Sequence, residues 1–154
     1  MPPLAVGDRA PDIAFTTHDG AKVRLADYAG KRPVVVFFYP KSDTPGCTQE
    51  SCDFRDLQAK FTKKNAEIVG ISPDKTEAQQ KFATKYGLPY TFVPDTDHAI
   101  AEAYGVWKEK KNYGKTYMGI ERTTFVIAPD GKIAKVYPKV KVAGHAEKVL
   151  SELE

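Results

Sequence analysis

The run "VVVFFY" (Val34–Tyr39) constrains the fold of this 154-residue chain more than any other stretch. Six consecutive apolar residues, β-branched and then aromatic, leave no polar face. They read as a strand covered on both sides. Such a strand needs a sheet around it and helices above and below, and partners are visible. "EIVGIS" (Glu67–Ser72) and "TTFVIA" (Thr123–Ala128) have the same character, and "KIAKVY" follows the latter across the turn "PDG" as its hairpin partner. Helices are expected from about Thr44 to Lys63, over Thr76–Tyr86 with Gly87 and Pro89 closing it, over His98–Tyr104, and from Gly144 to the end.

Strand–helix–strand–helix, then a hairpin and a final helix, predicts an α/β fold with a central mixed β-sheet flanked by helices. That order matches a thioredoxin-like fold, although the pattern alone also admits other three-layer sandwiches. The length suits one domain covering 1–154, and no repeat or low-complexity linker divides it. The net charge of +3, from 23 basic and 20 acidic residues, is too small a surplus to point to nucleic acid. No apolar run approaches a membrane span, and "MPPLAVGDRAPD" lacks the basic start and apolar stretch of a secretory signal. The expected home is the cytoplasm. There a lone cysteine pair is more often catalytic or redox-active than structural.

That pair is Cys47 and Cys52, five positions apart behind "DTPG". Thr44 fits an N-cap and Pro45 the first helical position, where a missing N–H costs nothing. Cys47 then falls in the first turn, near free N–H groups and the positive end of the helix dipole, which favour a thiolate. Gly46 leaves the backbone there uncovered, open to a small polar molecule. Thr44 and Pro45 alone say only that a helix starts; the thiol at the third position turns the reading to function. Positions 47, 50, 54, 57 and 61 follow the inward stripe of an amphipathic helix. Glu50 therefore lies on the buried stripe, where a carboxylate calls for a cation or several donors. Cys52 is off the stripe, about 140° around the helix from Cys47.

The segment "PKSDTPGC" fits the peroxiredoxin signature Pro-x-x-x-Thr-x-x-Cys, and "FYPKSDTPGCTQESCDFRD" resembles the bacterioferritin comigratory protein (PrxQ) branch. The resemblance runs along nearly the whole chain through "VGDRAPDIAF", "GISPD", "YGVW" and "GIERTTFVIAPDG". It implies a thiol-dependent peroxidase for hydrogen peroxide and alkyl hydroperoxides that needs no cofactor and no metal. By the same resemblance Cys47 is the peroxidatic cysteine, Thr44 bonds the peroxide and Pro40 shields the pocket. Arg122 polarises the substrate and steadies the thiolate, and it is the cation that Glu50 calls for. Arg55 is nearer in sequence and reads as a surface or structural partner. Some members of the branch use a cysteine five positions on as the resolving thiol, which here is Cys52, the chain's only internal candidate. Thioredoxin or a similar dithiol as reductant, and a monomeric state, are also what the resemblance implies.

The remaining features carry less. His18, His98 and His145 share no ligand spacing with the cysteines. The lysine-rich "KEKKNYGKTY" (Lys108–Tyr117) reads as a solvated surface loop, with the orienting of an acidic reductase as its alternative role, and Trp107 and Tyr104 read as packing residues. Two rival functions remain from the residues alone. One is a general thiol–disulfide oxidoreductase, although the pair is not Cys-x-x-Cys. The other is a redox-sensing or chaperone-like binding protein.

Overall fold

The computed structural model describes residues 4–11, 14–24, 32–112 and 114–153. Its elements in chain order are β1 (Ala14–Thr16), β2 (Lys22–Arg24), β3 (Val34–Phe38), α1 (Pro45–Lys63), β4 (Glu67–Ser72), α2 (Thr76–Tyr86), β5 (Thr91–Pro94) and α3 (Ala99–Ala103). They continue with β6 (Trp107–Asn112), β7 (Lys115–Ile120), β8 (Thr123–Ile127), β9 (Ile133–Tyr137) and α4 (His145–Glu152). The run that opened the sequence, β3, is buried at all five residues and is the middle strand of a five-stranded sheet ordered β5-β4-β3-β8-β9. Helices α1 and α2 cross over between parallel strands on one side of it; β8 and β9 run antiparallel on the other.

Alternation along β3 sends Val35 and Phe37 to one face and Val34, Val36 and Phe38 to the other. The first face packs with Phe54 and Phe61 of α1, Phe82 of α2 and Val149 of α4. The second packs with Tyr104, Val106, Ile120 and Phe125. Gly70 of β4 stands in register between Phe37 and Phe92, and a Cβ there would lie 2.8 Å from both rings. Only glycine lets these aromatics close over the sheet beneath α1.

The predicted buried strands and all four helices are present, with ends shifted by at most a residue or two. Helix α2 closes on Gly87 at φ 59, the left-handed conformation that glycine adopts without a steric penalty. Three features escape the periodicity reading: the small β1–β2 hairpin, strand β5, and the lysine-rich segment, which is not a loop but the β6–β7 hairpin. Six residue pairs, from Trp107↔Ile120 to Asn112↔Lys115, zip it together. Neither strand carries an alternating apolar face, so backbone pairing holds the hairpin and side-chain patterning does not announce it. Among the described residues, no helix is long and apolar enough to cross a membrane.

Candidate active site

Helix α1 follows β3, and the short loop 39–44 brings its first turn to the carboxyl end of that middle strand. Three anchors hold that loop. Tyr39 N–H donates to the Ile71 carbonyl (3.0 Å), Ser42 N–H donates to Asp74 (2.8 Å), and the Tyr86 hydroxyl donates to Asp43 (2.7 Å). Asp43 adopts φ 61, a left-handed turn residue that also pairs with Lys85. The Asp74 carboxylate that holds Ser42 is itself bonded by the Ser72 hydroxyl, which accepts from the buried Gln79 amide (2.8 Å).

The inward stripe of α1 is present. Cys47 and Glu50 are each 1% exposed and Phe54 and Phe61 are fully buried, while Leu57 is half-buried against the same core. Arg122, between β7 and β8, spans the stripe. Its Nη1 donates to Glu50 Oε1 at 2.6 Å and its Nη2 lies 3.1 Å from Cys47 Sγ. A planar guanidinium is suited to that division, since it holds two donors in fixed directions. Burial works against the Arg122 charge, but Glu50 and Cys47 outweigh it, and the guanidinium is held above its ordinary value. Burial also pushes the Glu50 carboxyl up to about 7, against the pull of Arg122.

A thiol at a helix start, touched by an arginine that a buried glutamate orients, is a compact unit for nucleophilic chemistry at sulfur. The AhpC/TSA family model matches residues 6–136 of the chain. Peroxiredoxin Bcp of Bacillus subtilis is 47% identical over 151 residues, covering 98% of this chain and 96% of the relative. The chain belongs to the AhpC/TSA family, in its peroxiredoxin Bcp (PrxQ) branch. Peroxiredoxin Bcp of Escherichia coli K12 is 44% identical over 154 residues, covering 100% of this chain and 98% of that one. Among solved structures, Xanthomonas campestris bacterioferritin comigratory protein, described for its alkyl peroxide reduction activity, superimposes with a TM-score of 0.90. It is 39% identical, over 97% of each chain. This peroxiredoxin thus has a thioredoxin-like fold, and its class of activity is that of a peroxidase.

The other residues singled out from the sequence of this peroxiredoxin are spread around the thiol. Thr44 is the N-cap of α1, with an extended backbone, but its side chain caps nothing: the hydroxyl donates to the Lys41 carbonyl at 2.7 Å. The expected side-chain cap is therefore absent, and the first-turn N–H groups are not closed off by it. Pro40 is half-buried at the end of β3. Gly46 lies beside the guanidinium, since a Cβ there would sit 3.4 Å from Arg122 Nη2.

Cys52 is half-buried, and both thiols are free. Burial pushes the Cys52 thiol up while Arg55 pulls it down. Arg55 pairs with Asp56 and donates to the Tyr86 carbonyl (2.7 Å), which is the structural role expected of it. Trp107 stacks on His98 with ring centres 4.0 Å apart, and Tyr104 is a core residue.

Two residues near the site escaped the sequence reading. Lys110, assigned to a solvated loop, is half-buried on β6 and within electrostatic reach of Arg122 and Cys47. Burial first, and then Arg122, draw its ammonium below the ordinary value. His145 is the other, dismissed because its spacing suits no metal site; it stands 4.0 Å from Glu50. No local pattern could have linked it to a residue so far away in the chain.

Proposed function

We propose that the chain is a single-domain, cysteine-based peroxidase in which Cys47 attacks the peroxide. The thiolate displaces at the distal oxygen: an S–O bond forms, the O–O bond breaks, and the departing oxygen takes up a proton to leave as water or an alcohol. The observation that carries this reading is the split reach of Arg122, one nitrogen 2.6 Å from Glu50 and the other 3.1 Å from the Cys47 sulfur. A cation so placed lowers the barrier by sitting where charge moves between sulfur and oxygen. The uncapped N–H groups of the first turn are the remaining donors for the substrate, joined by the Thr44 hydroxyl when it turns from the Lys41 carbonyl to the peroxide, with Pro40 and Gly46 shaping the approach. The alkyl peroxide reduction described for the Xanthomonas relative supports hydrogen peroxide and alkyl hydroperoxides as the substrate class.

Oxidised Cys47 is a sulfenic acid, and Cys52 is the thiol that condenses with it, forming the disulfide and releasing water. A dithiol reductant of the thioredoxin type then returns both sulfurs to thiols, and the enzyme works as a monomer in the cytoplasm. In an intact helix, Cα atoms five residues apart are separated by ~8.6 Å, whereas a disulfide needs less than about 7 Å and converging Cβ vectors. The first turns of α1 therefore unwind to bring the sulfurs together.

Mass spectrometry of the protein after one equivalent of peroxide tests the scheme. The expected product is the loss of two hydrogens with a Cys47–Cys52 crosslink; the Cys52→Ser protein instead gains one oxygen on Cys47. A wild-type protein that gains oxygen on Cys47 and never crosslinks would remove Cys52 from the mechanism. Peroxide consumption without insulin reduction separates this activity from a general thiol–disulfide oxidoreductase.

A further inference from the structure

Behind Arg122 lies a buried polar contact that the scheme above leaves unused. Glu50 gives one carboxylate oxygen to Arg122, and the other, Oε2, is buried with no hydrogen-bond partner. His145 Nε2 stands 4.0 Å from that oxygen. His145 is the first residue of α4 and only 6% exposed. Its ring is fixed on three sides. Nε2 shares a 2.8 Å hydrogen bond with the buried Thr124 hydroxyl, and the ring meets Phe54 and Tyr137 edge-on, with centres 6.0 and 5.4 Å away. The ring also borders a surface cleft lined by Lys139, Lys141 and Lys148, so it spans from that cleft to Glu50.

We infer that His145 is a positioning residue for peroxide reduction: from α4 it supports the free oxygen of Glu50, and through Glu50 it keeps the Arg122 fork turned toward Cys47. The inference rests on the roles of Cys47 and Arg122 proposed above. A neutral imidazole carries one N–H and one lone pair, and the Thr124 hydroxyl rotates to complement either. With the proton on Nε2, the single N–H is shared between the Thr124 oxygen and Oε2, and a closure of about 1 Å brings the carboxylate within hydrogen-bond distance. Without that donor, burial drives Glu50 toward its neutral acid. A neutral Glu50 no longer attracts the guanidinium by charge, and the fork is free to leave the sulfur.

His145 acts here as a dipole and not as a charge. Burial first, then Lys148 and Arg122, push it down to about 4, so it is uncharged near neutrality. Other groups face the pair from each neighbouring element. Asp53 and Cys47 lie on α1, Arg122 precedes β8, the Tyr90 hydroxyl precedes β5, and Glu147 and Lys148 lie on α4. Of these only Arg122 pairs directly with Glu50; among the described residues His145 is the group placed to serve Oε2.

The test is a pH titration of the full-length protein carrying carboxyl-labelled glutamate, followed by NMR, with Glu50→Gln assigning the signal. Stopped-flow oxidation of Cys47 over the same pH range is the companion measurement. His145→Phe should raise the Glu50 midpoint by about one pH unit, a tenfold change in ionisation equilibrium. It should slow oxidation about tenfold on the acid side, with recovery in alkali. His145→Gln, whose amide restores a donor, should stay within about twofold of wild type. Thr124→Val, which removes the competing partner of Nε2 and leaves its N–H to Oε2, should move the midpoint the opposite way, downward and by less, and it keeps the test open if His145→Phe does not fold. An unmoved midpoint in these variants, or a rate loss equal at every pH, would overturn the inference. The carboxyl titration is read without peroxide, so an inactive wild type would count against the proposed function and an unmoved midpoint against His145.

Discussion

Cys47 and Cys52 share one helix, yet their sulfurs sit in different environments. Cys47 is 1% exposed and faces a guanidinium that a buried glutamate aims from the far side. Cys52 is half-buried beside Arg55, whose charge is turned outward to Asp56 and to the end of α2. Both thiols have an arginine, but only one arginine is positioned by a partner with nowhere else to go. Surface ion pairs of the Arg55–Asp56 kind contribute little, because water screens them and two flexible chains must be ordered. A buried fork loses far more when one partner is removed. The comparison teaches that a reactive cysteine is marked by the organisation of the nearby charge, and not by proximity to a charge alone.

The largest contrast is expected from the sulfurs themselves. Cys47→Ser should abolish peroxidase turnover, whereas Cys52→Ser should keep the first oxidation and lose recycling by a dithiol reductant; steady-state assays with thioredoxin and its reductase measure both. Sustained turnover by the Cys47→Ser protein would end the assignment. The arginines come next. Arg122→Lys keeps the charge but not the two fixed donors, and sulfenic acid formation in stopped flow should fall by about 10–100-fold, the kinetic equivalent of one charged hydrogen bond. Arg55→Lys should leave that rate unchanged. Equal losses in the two variants would erase the distinction between the two environments.

Smaller effects bear on the resolving step. Disulfide formation should lower the far-UV helical signal and speed amide exchange across 44–54, leaving the central sheet protected; a crosslinked protein that keeps this segment helical would refute the unwinding. The Tyr90 hydroxyl donates to the Ser51 carbonyl at 2.6 Å in the buried stretch next to Cys52, and so ties down the turn that must open. Tyr90→Phe should speed crosslinking about fivefold, the value of roughly 1 kcal/mol for one neutral hydrogen bond, without altering the first oxidation. Slower crosslinking in that variant would show that the bond is not a restraint.

The smallest contrast is in the pH dependence of stability. Glu50, raised from 4.5 to about 7, contributes stability in its protonated form that is lost as pH rises through about 7. His145, lowered from 6.5 to about 4, contributes stability above 6.5 that is lost as pH falls toward 4. The two slopes oppose each other between 4.5 and 6.5. Thermal melts of Glu50→Gln should therefore uncover the His145 slope, with the midpoint falling more steeply than wild type as the solution is acidified from pH 6.5 to 4.5. Arg55→Lys should run parallel to wild type. A Glu50→Gln curve that is also parallel would mean that the buried pair does not titrate as a unit.

The chain's local patterns by themselves determined the central strand, the helix that follows it, and the place of Cys47 in that helix's first turn. These are short-range matters: an unbroken apolar run admits no exposed face, and Thr-Pro at a helix start with a 3.6-residue apolar stripe sets which side chains point inward. The demand of Glu50 for a cation was legible for the same reason, since a carboxylate on a buried stripe has few other solutions. Tertiary structure alone decided how that demand is met. Arg122 lies 72 positions from Glu50 and 75 from Cys47, and it reaches them because β8 pairs antiparallel with β3, carrying the residue before it to the start of α1. His145 enters from α4, and the β6–β7 hairpin, whose strands show no apolar alternation, brings Lys110 from the other side. Such partnerships depend on sheet order and on packing across the core, and no spacing within a single segment encodes them.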